Sequence, residues 1–347
     1  MMNWDIAKKA FDFFVNWIIT NQRFQVSPYS FSIGFYSGEP LLNFDLIARM
    51  VDYSKNCIHQ NQKEYPFGFH YSVTTNGLLL NEEIILFLVK NNFRVLISLD
   101  DPKSIHEKNK GKDTFDKLEK IIRNIKNKYP EYYSSNISFS IVYAKDTDLL
   151  QILEYFSNDL FESSFKMALG EVITYFSYLH FPSIGINEEL VYSKIMASVK
   201  YGHSLNKIEK AILSEYYRIS INTLSDRHGA NYASFCTLGA EKLQFSVNGD
   251  IHSCERVGKS FAIGDVYTGI DINKIYKIKK EGFEKTSECG DCIAQSQCNA
   301  CVGTSGYNGE IFLENICRQL RTNINKRFPE YIEYKIMEGR CLENMVE

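Results

Sequence analysis

Apolar positions in the first half of the chain fall into two alternating patterns. Short runs of strand length, "FSIGFY" (31–36), "FHYSVTT" (69–75), "FRVLISL" (93–99), "ISFSIVY" (137–143) and "FKMALGEVI" (165–173), carry the β-branched and aromatic residues that strands favour. Between them, "FDLIARMVDYSKNCI" (44–58), "NEEIILFLVKNN" (81–92), "DTFDKLEKIIRNIKNKY" (113–129) and "DTDLLQILEYF" (146–156) repeat their apolar residues at helical spacing. Asn81 is placed to cap the second of these, with Glu82 and Glu83 in its first turn. Strands alternating with helices predict consecutive βα units and a parallel sheet, and the repetition favours a barrel or partial barrel over an open sheet. An amphipathic helix precedes the series in "MMNWDIAKKAFDFFVNWII" (1–19), with Ala7, Phe11, Phe14 and Ile18 on one face.

Downstream the texture changes. "NEELVYSKIMASVKYG" (187–202) and "SLNKIEKAILSEYYRISINTL" (204–224) read as helices. After Cys236, "KLQFSVNGDIHSC" (242–254) reads as a hairpin turning at Asn248-Gly249. A cysteine-rich stretch follows, then a last helix near 318–337. The expected division is a strand–helix series over 1–183, a helical bridge over 184–230, a cysteine-rich domain over 231–325 and a helix and tail over 326–347.

Composition narrows the class. A chain of 347 residues, 44% hydrophobic and 23% charged, is long enough for two cores and reads as soluble and globular. No apolar run approaches the roughly 18 residues of a membrane span, and the N-terminal helix carries Asp5, Lys8, Lys9 and Asp12 and lacks a signal-peptide cleavage pattern. A cytoplasmic location is expected, with no membrane partner. A net charge of −3 gives no electrostatic reason for a nucleic-acid partner.

The cysteines carry the chemistry. "CGDCIAQSQCNAC" holds Cys289, Cys292, Cys298 and Cys301; Cys317 follows, and Cys236 and Cys254 precede. In a reducing compartment such clusters point to metal rather than disulfides. Five thiolates exceed one four-coordinate site, and seven make two sites with one position open. Zinc is the alternative, with an awkward remainder of three thiols. Cys57 reads as a buried small hydrophobe and Cys341 as a tail thiol.

This spacing, Cys236, twelve residues, Gly249, four residues, Cys254, then CxxC, a further pair and a last cysteine, resembles the SPASM domain, the C-terminal extension of many radical SAM enzymes that modify peptides and proteins. The resemblance implies two auxiliary [4Fe-4S] clusters, one on Cys236, Cys254 and Cys301 and the other on Cys289, Cys292, Cys298 and Cys317. Cys298 and Cys301 are separated by two residues where the family usually has three. The first cluster lacks a fourth cysteine, since position 230 is Ala230; His228 and a group of the substrate peptide are the two candidates. Glu255 matches an acidic position that serves as a base in some relatives, against the reading of a solvated carboxylate.

The resemblance extends through the strand–helix series. "SGEP" (Ser37, Gly38, Glu39, Pro40) is similar to the family's GGEP segment, which meets the amino group of S-adenosyl-L-methionine; Ser37 replaces the first glycine. Gly38 permits close backbone approach, and Glu39 offers a carboxylate to an ammonium. "TTNG", with Thr75 and Asn76, and "SLDDP", with Ser98 and Asp100, stand at the ends of the next two strands; Ser98 and Asp100 are expected near the cofactor's ribose or carboxylate, and Asp101 departs from the family's glycine. The implied fold is α/β: a partial parallel (β/α)6 barrel missing its first strand, joined to a SPASM domain.

The family's CxxxCxxC, which binds the radical-initiating cluster, is not in this sequence. Its strand and loop would lie before Met1, so a reading frame cut at an internal Met is expected, ahead of a gap filled by another segment or a decayed relative. The resemblance implies reductive cleavage of S-adenosylmethionine to a 5′-deoxyadenosyl radical and thioether or carbon–carbon crosslinking of a ribosomally made precursor peptide. The alternatives are a non-catalytic iron–sulfur partner of such a peptide or of a complete maturase, and a zinc-stabilised binding module. No peptide-binding winged helix is visible, so precursor recognition is expected either in residues outside this sequence or in a separate protein.

Overall fold

The computed structural model describes residues 1–20, 30–60, 68–99, 103, 106–107, 111–143, 147–164, 166–171, 186–217, 238–239, 242–255, 257–289, 291–294, 302, 306–307, 310–311, 313–343. In chain order these form α1 (Trp4–Thr20), β1 (Ser30–Phe35), α2 (Phe44–Gln60), β2 (Gly68–Thr75), α3 (Glu82–Lys90), β3 (Arg94–Ser98), α4 (Thr114–Lys128), α5 (Pro130–Asn136), β4 (Ile137–Tyr143), α6 (Leu149–Phe156) and β5 (Lys166–Glu171). They continue with α7 (Glu188–Lys200), α8 (Lys207–Tyr216), β6 (Gln244–Phe245), β7 (Asp250–His252), β8 (Gly264–Asp265), β9 (Gly269–Ile270), α9 (Ile272–Lys285), β10 (Gly306–Tyr307), β11 (Glu310–Ile311) and α10 (Glu314–Glu343). All five strands expected from the apolar runs are present. They form one sheet in the order β1-β2-β3-β4-β5, parallel from β2 to β5. Among the described residues, no helix is long and apolar enough to cross a membrane.

The described residues gather into two compact units, Met1–Tyr71 with His228–Cys317, and Ser72–Arg227 with Arg318–Glu347. In the first unit α1 is amphipathic on more than one face. Ala7 and Phe11 are buried with Met50 of α2 and pack against Ile33 and Phe35 of β1 and Phe69 of β2. Phe13, on another face, packs against the core of Leu238, Ile251, Phe261, Ile263, Ile278, Val302 and Leu313. Its ring meets Phe245 edge-on with centroids 6.1 Å apart. Phe14, expected on the buried face with Phe11, is only partly covered and stacks on Trp17. Trp4 lies under the guanidinium of Arg49, 3.8 Å from the ring centroid.

In the second unit Val73, Val95, Ile97, Phe139 and Ile141 of the strands, with Leu118 and Ile122 of α4, are all essentially without solvent exposure. Asn81 caps α3 as expected, its side chain accepting the Ile84 N–H at 2.9 Å. Pro130 starts α5 directly after α4, a helix the periodicity did not separate; proline at the first helical position lacks an N–H that would be unpaired anyway. α10 is longer than expected at both ends, with Pro329 inside it. Its Arg327 is the main tie to α7 and α8. The guanidinium donates to Glu188 Oε1 at 2.6 Å and to the Tyr216 carbonyl at 3.3 Å, and lies 4.3 Å from the Tyr216 ring centroid. Tyr216 in turn donates its hydroxyl to Glu330 Oε2 at 2.9 Å. A buried pair of this kind costs about 3–5 kcal/mol when one partner is truncated, because the other charge is left unpaired.

The expected hairpin is present, with its turn one residue earlier than the Asn-Gly reading. Gln244 pairs with His252 and Phe245 with Ile251, and the turn runs Ser246–Gly249, closed by the Gly249 N–H on the Ser246 carbonyl at 3.0 Å. Only Gly249 of the two takes a positive φ, +91°, so the loop is a four-residue turn followed by a left-handed residue. A Cβ there would also lie 2.9 Å from Val266 Cγ2. Gly249→Ala is therefore expected to cost about 1–2 kcal/mol of stability, read from the denaturant midpoint; an unchanged midpoint would remove this glycine's structural role.

Candidate functional site

The sequence-assigned residues around the strand ends are held by hydrogen bonds of their own locality. In the first unit the chain leaves β1 through Ser37 and Gly38, at φ +88° and +56°. A side chain in this left-handed region costs about 1–2 kcal/mol, so the backbone explains why glycine suits position 37 and shows Ser37 under strain. A Cβ on Gly38 would meet nothing within 4 Å, so conformation rather than crowding sets the demand there. Glu39 Oε1 accepts the Leu41 N–H at 3.1 Å and caps the 3-10 turn Pro40–Asn43, with Pro40 at its first position and Leu41 buried as its anchor. A carboxyl group at this turn offers oxygens to a cation.

In the second unit Thr75 ends β2, almost fully buried, and its Oγ1 accepts the Gly77 N–H at 2.9 Å. Asn76 Oδ1 accepts the Leu78 N–H at 3.0 Å. Gly77, at φ +77°, completes a turn in which a Cβ would fall 2.5 Å from Leu118 Cδ1. Ser98 ends β3, half-buried, in register with Ser140. Thr75 and Ser98 thus stand at the C-terminal ends of adjacent parallel strands, where ligands bind in open and closed parallel sheets alike. Asp100 lies outside the described residues.

Cys254, Cys289, Cys292 and Cys317 belong to the first unit. Cys254 follows β7, and Cys289 ends a 3-10 turn in which its N–H donates to the Thr286 carbonyl at 3.1 Å. Cys292 then donates its N–H to the Cys289 carbonyl at 3.2 Å, so the two cysteines share one tight turn. Cys317 sits in the first turn of α10, its N–H on the Leu313 carbonyl at 2.9 Å, and packs against the apolar core around Ile251. All four are half-buried. Among the described residues, no three His, Cys, Asp or Glu side chains converge on one point; Cys236, Cys298 and Cys301, with His228 and Ala230, lie outside them. The donor set, thiolates on turns beside an apolar core, fits an iron–sulfur group in chemistry.

Glu255, one residue past Cys254, forms an ion pair with Lys242. The lysine is 57% exposed, and pairs of this exposure contribute about 0–1 kcal/mol. No local pattern pointed to this partner, and little in the residue order pointed to two buried groups beside Cys254. His252 is 6% exposed and Ser253 5%; among the described residues, the His252 Nδ1 and the Ser253 Oγ have no hydrogen-bond partner. Burial lowers the His252 pKa, and nearby Asp250 raises it in part. The legible signal was the strand alternation, which turns His252 away from the core-facing Ile251.

Comparison with known proteins agrees with the sequence resemblance. Residues 23–155 match the Radical SAM superfamily. The chain is 24% identical over 276 residues to the radical SAM cyclopropyl synthase TigE of Paramaledivibacter caminithermalis, covering 78% of this chain and 54% of that protein, so it spans about half the length of that relative. It is 24% identical over 328 residues to the cysteine-type anaerobic sulfatase-maturating enzyme of Clostridium perfringens, covering 87% of this chain and 82% of that one. The solved structure of native anSMEcpe with bound AdoMet and Cp18Cys peptide superposes with a TM-score of 0.59 at 18% identity, covering 96% of this chain and 91% of that chain, which shows a shared fold. Residues 23–155 are thus similar to the Radical SAM superfamily, and the chain is similar along most of its length to a radical SAM cyclopropyl synthase and a sulfatase-maturating enzyme.

Proposed function

We propose that this chain is a radical SAM/SPASM enzyme of peptide or protein maturation, acting in the cytoplasm on a ribosomally made precursor. The observation that carries the reading is the turn after β1. Two consecutive left-handed residues lead into a capping carboxylate at the segment that resembles the family's methionyl-amino site. On this reading the five strands belong to a (β/α)6 barrel, and the cysteine-bearing part of the first unit is a SPASM domain. Cys236, Cys254 and Cys301 would hold one auxiliary [4Fe-4S] cluster, and Cys289, Cys292, Cys298 and Cys317 the other. With S-adenosylmethionine, such clusters supply one-electron chemistry and hydrogen abstraction when bound. Glu39 would hold the ammonium, and Ser98 and Asp100 the cofactor's ribose or carboxylate, beside the Thr75–Asn76 turn. Glu255 would take the proton that leaves the substrate, with Lys242 as its ion-pair partner. The peptide bound in the solved anSMEcpe structure supports a peptide substrate here; thioether or carbon–carbon crosslinking is the outcome inferred.

A second reading rests on one specific observation: no CxxxCxxC occurs in this sequence. A chain without that ligand set would hold its auxiliary clusters and bind a precursor peptide or a complete maturase without starting the reaction. Anaerobic reconstitution of the 347-residue chain with iron and sulfide separates the readings. Both readings expect thiolate-to-iron absorbance; absence of 5′-deoxyadenosine release from S-adenosylmethionine would favour the second. Release would assign radical initiation to residues within this chain, and zinc uptake in place of iron would overturn both readings.

Two substitutions test the residue roles. Glu39→Gln keeps an oxygen for the Leu41 N–H and loses the charge. S-adenosylmethionine binding should weaken about tenfold or more, the loss of a charge-assisted hydrogen bond of roughly 1.5–3 kcal/mol, while the melting midpoint holds; Glu39→Ala should lower both. Equal binding by the glutamine variant in titration calorimetry would sink the assignment. Glu255→Gln should shift unfolding free energy by less than about 1 kcal/mol, as its exposed ion pair implies. A larger shift in the denaturation curve would make the carboxylate structural.

A further inference from the structure

We propose that His252 is the fourth ligand of the auxiliary cluster that Cys254 holds, bound through its imidazole Nδ1. The inference rests on the cluster reading above and completes it at the position where the cysteine count falls one short. Three observations carry it. The imidazole is more than nine-tenths buried, and among the described residues its Nδ1 has no hydrogen-bond partner. Buried polar side-chain atoms in folded proteins are paired in the large majority of cases, so such an atom calls for an account. The neighbouring Ser253 Oγ is buried without a partner as well, so two adjacent polar groups share the same deficit. Both immediately precede a cysteine of the metal-ligating pattern.

Reach and chemistry agree with this assignment. His252 ends β7 and the chain bends over Ser253 and Cys254, so the two residues lie at most about 7 Å apart along the backbone. β7 fixes the approach: Ile251 is fully buried in the apolar core, and alternation places Asp250 and His252 on the opposite face of the strand. Imidazole replaces thiolate on iron in known iron–sulfur centres and raises their reduction potential. The Ser253 hydroxyl, beside it, can donate to a cluster sulfur. The competing account is a buried histidine that only fills space. It predicts no nitrogen bonded to iron.

Pulsed electron paramagnetic resonance of the reduced, reconstituted 347-residue chain distinguishes them. Protein grown with natural-abundance histidine is compared with protein carrying 15N in the imidazole rings, with iron quantified on the same samples. The expected result is a strong nitrogen coupling whose pattern changes with the label. His252→Cys should abolish that coupling while keeping the iron content, because a thiolate can take the position; Ser253→Ala should retain it. Iron-loaded protein with no label-sensitive coupling overturns the assignment and leaves the cluster reading standing. A coupling that persists in His252→Cys overturns it in favour of another histidine. Protein that takes up no iron overturns the cluster reading and this assignment together. Should His252→Cys fail to fold, the isotope comparison on the unmodified chain still decides whether any imidazole is bound.

Discussion

The first unit depends on one helix burying two faces at once. α1 places Ala7 and Phe11 among the side chains of α2, β1 and β2, and Phe13 against the core around Ile251 and Ile263. Lys9 lies over the Tyr267 ring at 4.5 Å, and the Ile6 side chain approaches the Gly249 turn. Neither neighbouring core has this helix to itself. The hydrophobic term is proportional to area removed from water, so a helix that offers apolar side chains on two faces contributes to both cores. The cysteine turns are built on the second of these cores, since Cys317 packs against it and α9, which leads into Cys289, supplies Ile278 to it.

The residues assigned to the cofactor follow a common rule. Their side chains shape the backbone of the turn they occupy: Glu39 caps, Thr75 and Asn76 each accept an N–H two residues on, and Gly77 fills a space that tolerates no Cβ. Such local hydrogen bonds are how short polar residues hold irregular backbone open at strand ends. A turn fixed in this way presents its backbone groups to a ligand with little ordering left to do on binding. The strain at Ser37 belongs to the same pattern, in which sparsely populated backbone conformations gather at functional sites.

Much of the fold was legible because its signals are local. The five apolar runs became five strands, Asn81 became a cap, and the alternating segment before Cys254 became a hairpin. What escaped were features set by distant partners. Periodicity showed one buried face on α1 and could not show that Phe13 serves a second core contributed by residues beyond 237. The Arg327–Glu188 pair joins positions too far apart for any local pattern to couple. The turn after Phe245 shifted by one residue because a left-handed glycine satisfies more than one loop type. The candidate site residues stand out by residue type and spacing, while the buried His252 nitrogen depends on what surrounds it in three dimensions.

The two-faced helix also sets an order of events during synthesis. Phe13 leaves the ribosome well before Phe245 and Ile263, which cover it and are translated more than two hundred residues later. Until then its apolar face has no native partner. Contacts this distant in sequence raise contact order and slow folding, since loop closure is paid before the contact forms. The βα repeats of the second unit, built from near neighbours, are free to fold first, while the nascent helix is a natural client for a chaperone that binds amphipathic segments.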